Sequence, residues 1–267
     1  MASIGPEDLS TLPTTDPGER IYAIGDLHGR FDLLKDMLDR IGEHSAALPQ
    51  PQALHIVFLG DLIDRGPDSA RILEYLYDLQ RRSDRVIVLQ GNHEEALVRS
   101  MEGDLGIMRM WLGFGGRETL RSFGIDPDAA GADLEALLRE MRARIPRQWI
   151  GWLKSLPLNA QSGDYYFCHA GIKPGVPLRR QTRSSLLWIR DEFLDHTGYH
   201  GAVIVHGHSI EPQVALRPNR IGIDTGAYRT GALTALYLED DRREILTARA
   251  EAPADEDICI ARAEDMG

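Results

Sequence analysis

The sequence predicts an α/β fold in which two mixed sheets are flanked by helices, with a helical insertion between them. Three observations carry that prediction. The first third of the chain repeats strand, polar loop, helix three times, the stretch from about 99 to 157 loses strand patterning, and closely spaced strands return after it. Consecutive βα units imply parallel pairing in an α/β sheet.

In order along the chain, residues 1–18 carry Pro6, Pro13 and Pro17 and lack the basic start and apolar stretch of a secretory signal, so they read as a flexible arm. The first strand, Ile21 to Ile24, runs into Gly25-Asp26-Leu27-His28-Gly29. Phe31, Leu34, Leu38 and Ile41 then recur at helical spacing, with Lys35, Asp36 and Asp39 on the outside. A second unit has strand Leu54 to Leu59, loop Gly60 to Pro67 and a helix carrying Ile72, Leu76 and Leu79. A third has strand Arg85 to Leu89, loop Gln90 to Glu94 and a further helix.

Within the insertion, Leu134, Leu137, Leu138, Met141 and Ile145, then Trp149, Ile150 and Leu153, read as helical packing faces. Its Trp and Met residues are assigned to packing, and Gly113-Phe114-Gly115-Gly116 to a helix break or turn. Strands are expected again at Tyr165–Cys168, Ala202–Val205, Val214–Arg217, Arg220–Ile223 and Leu233–Leu238, forming an antiparallel or mixed second sheet. Residues 251–267, with six acids against one base, read as an acidic, disordered tail, which leaves 19–250 as the folded domain.

Acidic residues outnumber basic ones 41 to 30, for a net charge of −11, which argues against a general grip on nucleic acid or anionic lipid. Any phosphate must be attracted locally. No apolar run approaches the ~18 residues of a membrane helix. Cys168 and Cys259 have neither the number nor the spacing of a disulfide framework or a thiolate zinc site, so a reducing, cytoplasmic setting is expected. Cys168 itself reads as a small apolar residue ending a buried strand.

The polar loops share one chemistry. Asp26-x-His28, Gly60-Asp61-x-x-Asp64-Arg65-Gly66, Gly91-Asn92-His93-Glu94, His169-Ala170-Gly171 and Gly207-His208 all place oxygen and imidazole donors after strands, where α/β sheets bind ligands. Mixed N and O donors suit Mn, Fe or Zn, whereas calcium wants oxygen throughout. Competing motifs fail on single residues. His93-Glu94-Glu95-Ala96-Leu97 lacks the second His of a zinc-protease helix, and Gly207-His208-Ser209-Ile210-Glu211 lacks the last Gly of a nucleophile elbow.

These ordered motifs, with Leu187-Trp188-Ile189-Arg190 and Ile223-Asp224-Thr225-Gly226, resemble the calcineurin-like metallophosphoesterases of the phosphoprotein phosphatase type, in their compact bacterial and phage form. The resemblance runs from Asp26 to about Gly226 and implies an αββα sandwich. It implies two divalent cations, Mn²⁺ first with Fe or Zn as alternatives, one held by Asp26, His28 and Asp61 and the other by Asp61, Asn92, His169 and His208. Water between two such cations is acidified and can attack phosphorus directly.

The resemblance also makes His93, paired with Asp64, the acid that protonates the leaving oxygen, and sets Arg65, Arg190 and Asn92 against the phosphate. His206 stands two residues before His208, and the Gly-His pattern favours His208 as the ligand. The expected activity is hydrolysis of phosphoserine and phosphothreonine in a phosphoprotein or phosphopeptide, because Glu94 and Asp64 fit the protein phosphatase branch. The alternative is a symmetrical dinucleoside tetraphosphate hydrolase, and a remoter one a non-catalytic phosphoprotein-binding module.

Overall fold

A computed structural model describes residues 12–129, 131 and 133–250. Two five-stranded sheets stack face to face with helices outside, an αββα sandwich. In the first sheet, β1 (Glu19–Ile24), β2 (Ala53–Phe58) and β3 (Val86–Val88) run parallel, while β9 (Ala232–Glu239) and β10 (Arg242–Arg249) extend it antiparallel on the β1 side. In the second, β5 (Tyr165–Cys168), β6 (Val203–His206) and β8 (Arg220–Gly222) form the parallel centre, edged by antiparallel β4 (Asn159–Ser162) and β7 (Ala215–Leu216).

Strand alternation builds the layers. Ile21 and Ala23 of β1 face the second sheet with Val57, Phe167, Val205, Ile221 and Leu236, whereas Tyr22 and Ile24 face the helices. Each fully buried Ile, Leu or Phe in that inter-sheet layer contributes about 1.5–3 kcal/mol. On the outer face of the first sheet, α1 (Phe31–Ala46) buries Phe31, Leu33, Leu34, Met37 and Ile41, and α2 (Ser69–Arg82) buries Ile72, Leu73 and Leu76. α3 (Asn92–Glu102) completes the third βα unit on the same face, and the insertion covers it further with α4 (Leu105–Trp111), α5 (Arg117–Ser122), α6 (Leu134–Arg144) and α7 (Arg147–Ser155). Asp104 and Asp133 cap α4 and α6 by accepting the N–H groups of Ile107 and Ala136. On the second sheet's outer face lie α8 (Arg183–Trp188) and α9 (Asp191–Leu194), and α10 (Ala227–Thr230) precedes β9.

Three expectations need correction. Leu233–Leu238 reads from sequence as part of the second sheet, but β9 pairs with β1 in the first, and its seven consecutive buried residues fill both faces of a central strand. β10 and β4 were not expected, since each is a largely exposed or polar edge without a clean apolar alternation. The described part of the N-terminal arm, residues 12–18, is tied down rather than loose. The Thr15 N–H donates to Asp240 O at 3.1 Å, the Asp164 N–H to Thr14 O at 2.8 Å, and the Asp16 N–H to Ser162 Oγ at 2.9 Å, so this segment straps the two sheets together. The acidic tail lies outside the described residues.

Candidate metal centre

Each polar loop begins where a parallel strand ends. Asp26 and His28 follow β1, Asp61 follows β2, Asn92 and His93 follow β3, His169 follows β5, His208 follows β6 and Asp224 follows β8, so both sheets aim their loops at one rim. The turns are tight. Among the described non-glycine residues with positive φ are His28 (43°), Asp61 (48°), Asp64 (75°), Arg65 (68°) and His208 (64°), a clustering of backbone strain at one place in the fold.

Asp61 lies at the centre. Its Oδ2 is 3.6 Å from His28 Nε2 and 3.7 Å from His93 Nε2, and its Oδ1 is 3.4 Å from His169 Nε2. Two sets of donors lie close enough to hold a cation, His28 with Asp61 and His93, and Asp61 with His169 and His208. Asp26 is in neither set: its Oδ2 accepts the backbone N–H of His208 at 3.0 Å, and its Oδ1 is buried without a partner. Asn92 Oδ1 is 2.8 Å from His169 Nε2. His206 is buried away from both sets, packing its ring on Phe193 at 5.0 Å.

The donors suit cations. His28 Nδ1 and His169 Nδ1 lie 2.8 and 2.9 Å from the carbonyls of Ile63 and Leu59, which fixes the N–H there and leaves each Nε2 an acceptor. Those Nε2 atoms face carboxylate and amide oxygens, which are acceptors too, while His208 Nε2 and Asp26 Oδ1 are buried with no partner at all. Acceptors aimed at one another in a buried site call for positive charge between them.

Electrostatics agree. Burial pushes the His28 imidazole down to about 3 and His208 to about 2, so both are neutral and ligand-ready. Burial alone would raise the Asp61 carboxyl, but the surrounding imidazoles, His169 and His93 foremost, outweigh it and hold the group well below the usual carboxylate range. Burial, with the like charges of Asp224 and Asp61, holds Asp26 well above that range. His93 is the exception among the imidazoles: burial would lower it, but the carboxylates of Asp61 and Asp64 raise it above its ordinary value. Its Nδ1 lies 2.5 Å from Asp64 Oδ2, and Arg65 Nη2 is 3.3 Å from its Nε2. Arg65 also stacks on the Tyr228 ring at 4.7 Å, and the Arg190 charge lowers His169 and His208.

Residues 19–232 match the family model described as calcineurin-like phosphoesterase. This chain belongs to the calcineurin-like phosphoesterase family. Like other calcineurin-like phosphoesterases it is a hydrolase of the metallophosphoesterase kind, with donor sets at the rim of the sandwich that could hold divalent cations. It is 28% identical over 255 residues, 88% of this chain and 94% of the relative, to an asymmetrical bis(5'-nucleosyl)-tetraphosphatase PrpE of Oceanobacillus iheyensis. A solved structure of a candidate diadenosine tetraphosphatase superposes with a TM-score of 0.58 at 20% identity, covering 90% of this chain and 100% of that one. A serine/threonine phosphatase of Saccharomyces cerevisiae superposes with a TM-score of 0.54 at 15% identity, covering 91% and 86% of the two chains.

Several contacts around this phosphoesterase site were not foreseen from the sequence. Glu94, read as a branch marker, turns away from the site: its carboxylate accepts the N–H groups of Asp61, Leu62 and Gly91 at 2.8–2.9 Å and so fixes the Asp61 turn. Trp111 and Thr119 of the insertion both donate to Asp64, whose pairing with His93 was expected. Phe114, in the Gly113–Gly116 segment read as a break, sets its edge against the His93 ring at 4.8 Å. Local pattern offered one clue, the glycine-rich interruption itself, where the backbone leaves helical geometry at Phe114 and Gly115.

Proposed function

We propose that the chain hydrolyses bis(5'-nucleosyl) tetraphosphates, and does so asymmetrically, releasing a nucleoside triphosphate and a nucleoside monophosphate. The observation that carries this reading is the match along nearly the whole chain to relatives named as asymmetrical tetraphosphatases. Glu94, one of the two residues that fit the protein phosphatase branch, serves the backbone of the Asp61 turn. The relatives are named asymmetrical, which supports that cleavage over the symmetrical one that stood as the alternative from sequence.

Asp26, His28 and Asp61 would hold one divalent cation and Asp61, Asn92, His169 and His208 the other, with Mn²⁺ the first choice and Fe or Zn as alternatives. Such cations would polarise the phosphoryl oxygens and acidify water at the rim. Arg65 and Arg190 bind the remaining phosphate oxygens, with Asn92 beside them, and the local excess of positive charge draws an anion to an acidic protein. His93 carries the proton for the leaving oxygen on Nε2, while Asp64 engages Nδ1.

Phosphoserine and phosphothreonine hydrolysis is the second reading. The 2.5 Å contact between His93 and Asp64 favours it, since an alkoxide leaving group depends on a positioned acid more than a phosphate does. The test sets Mn²⁺-reconstituted chain against diadenosine tetraphosphate and a phosphothreonine peptide side by side, with products separated by chromatography. ATP and AMP in equal amounts, with slower peptide hydrolysis, support the proposal. ADP alone returns the cleavage to symmetrical, preference for the peptide supports the second reading, and activity on neither leaves a phosphate-binding module.

A further inference from the structure

Asp64 is fully buried, and both of its carboxylate oxygens are held from the helical insertion. Trp111 Nε1 donates to Oδ2 at 2.8 Å, the same oxygen that faces His93 Nδ1, and Thr119 Oγ1 donates to Oδ1 at 2.5 Å. The Asp64 N–H points between Ser69 Oγ at 3.0 Å and Thr119 Oγ1 at 2.9 Å. The next residue is held as well, because the Arg65 N–H donates to Gly115 O at 3.1 Å.

The kink makes this reach possible. Gly115 has φ 126°, and a Cβ there would come within 2.7 Å of Arg65 Cγ and 3.1 Å of Asp64 Cβ. A Cβ on Gly116 would come within 2.4 Å of the Trp111 ring, so the break in the helix is shaped around both the indole and the Asp64–Arg65 turn. A buried Trp needs some partner for its N–H, and a backbone carbonyl would serve for packing alone. Here the insertion instead spends an indole, a threonine hydroxyl and a carbonyl on one strained dipeptide whose first side chain orients His93.

We propose that Trp111 and Thr119 are positioning residues that act through Asp64 to aim the His93 ring, so that the helical insertion, read from sequence as packing, tunes proton delivery to the leaving oxygen. The proposal rests on His93 being the acid, as read above. A carboxylate fixed at both oxygens cannot rotate, and the imidazole bonded to it keeps Nε2 toward the reacting centre.

The test uses full-length, Mn²⁺-loaded Trp111→Phe, Thr119→Val and Thr119→Ser with two esters, p-nitrophenyl phosphate, whose phenolate leaves unassisted, and a phosphothreonine peptide, whose alkoxide does not. For Trp111→Phe and Thr119→Val, kcat on the peptide is expected to fall about tenfold or more, part of the ~10²–10⁴ that a positioned acid supplies. The aryl ester, both KM values and the bound metal should hold, and Thr119→Ser should restore the peptide rate. Equal slowing on both esters overturns the proposal and leaves a packing role. A wild-type chain that hydrolyses the tetraphosphate but neither ester removes the alkoxide, and the proposal with it, while inactivity on all three overturns the reading of His93 as well. In the Zn²⁺-loaded chain, the Trp111 indole N–H resonance should move on Asp64→Asn; a resonance that stays in place overturns the proposal independently of turnover.

Discussion

The carboxylate of Glu94 accepts the backbone N–H of Asp61 at 2.9 Å, and through it a side chain on α3 sets the turn that carries the central carboxylate of the site. Both oxygens of Glu94 are used, one by Asp61 and Gly91, the other by Leu62. Glu94→Gln puts an amide NH₂ against N–H donors on one side. It should cost about 2–4 kcal/mol and lower Tm by roughly 5–15 °C. Thermal melting checks the stability, and side-by-side assays should show an unchanged preference between tetraphosphate and phosphopeptide. A switched preference would instead give Glu94 a part in substrate selection.

Asp61 belongs to both donor sets, so Asp61→Asn should empty both sites where Asp26→Asn weakens one. Metal content by elemental analysis after desalting is expected near background for the first variant and at about half occupancy for the second, an order-of-magnitude expectation from the loss of charged ligands. Full occupancy of Asp61→Asn would contradict a shared role. Chelation of the wild type should abolish hydrolysis, and Mn²⁺ should restore it.

Uptake of cations should depend on pH through carboxyls rather than imidazoles. Burial raises Asp224 to about 6, and burial together with Asp224 and Asp61 holds Asp26 well above its ordinary value, whereas His28 and His208 are neutral far below that range. Binding needs ionised carboxylates and neutral rings. As pH falls through about 6 the Asp26–Asp224 pair takes up a proton and competes with the cation, so affinity drops there and levels off above it. The same raised values mean that the metal-free chain is stabilised by this pair below the unfolded carboxyl pKa and loses that contribution as pH rises through about 6. Calorimetry in buffers of different ionisation enthalpy should detect proton release on binding near pH 5–6, an interval set by these carboxyls, and Asp224→Asn should shift it downward.

Cys168 is fully buried at the end of β5, and burial pushes its thiol well above the ordinary value. Iodoacetamide should leave it unmodified in the native chain and label it in denaturant, read by peptide mass spectrometry. Labelling of the folded chain at Cys168 with loss of activity would contradict a purely structural role for the thiol.

The central strands and the ligand loops were legible because each is local. A run such as Ile21 to Ile24 names a strand by itself, and Asp26-x-His28 names donors within one turn. Pairing is another matter: Leu233–Leu238 reads as a strand, yet nothing in its own residues says that it crosses back to β1 instead of joining its neighbours. β10 hid because only Ala248 of its eight residues is buried. Trp111 and Thr119 hid for a similar reason, lying 47 and 55 residues from the Asp64 they hold, with no spacing rule linking them. Glu94 was visible as a motif residue but its backbone partners were not, since sequence gives a side chain's identity and not its direction.

The strap of residues 12–18 binds the two sheets where their parallel strands begin, through Thr14, Thr15 and Asp16, whereas the donors at the far rim come from loops of both sheets. The sandwich is thus bound like a book along its spine and left open along its fore-edge. Cations gripped by Asp61 from one cover and by His169 and His208 from the other would serve as the clasp, so that filling the site also closes the volume.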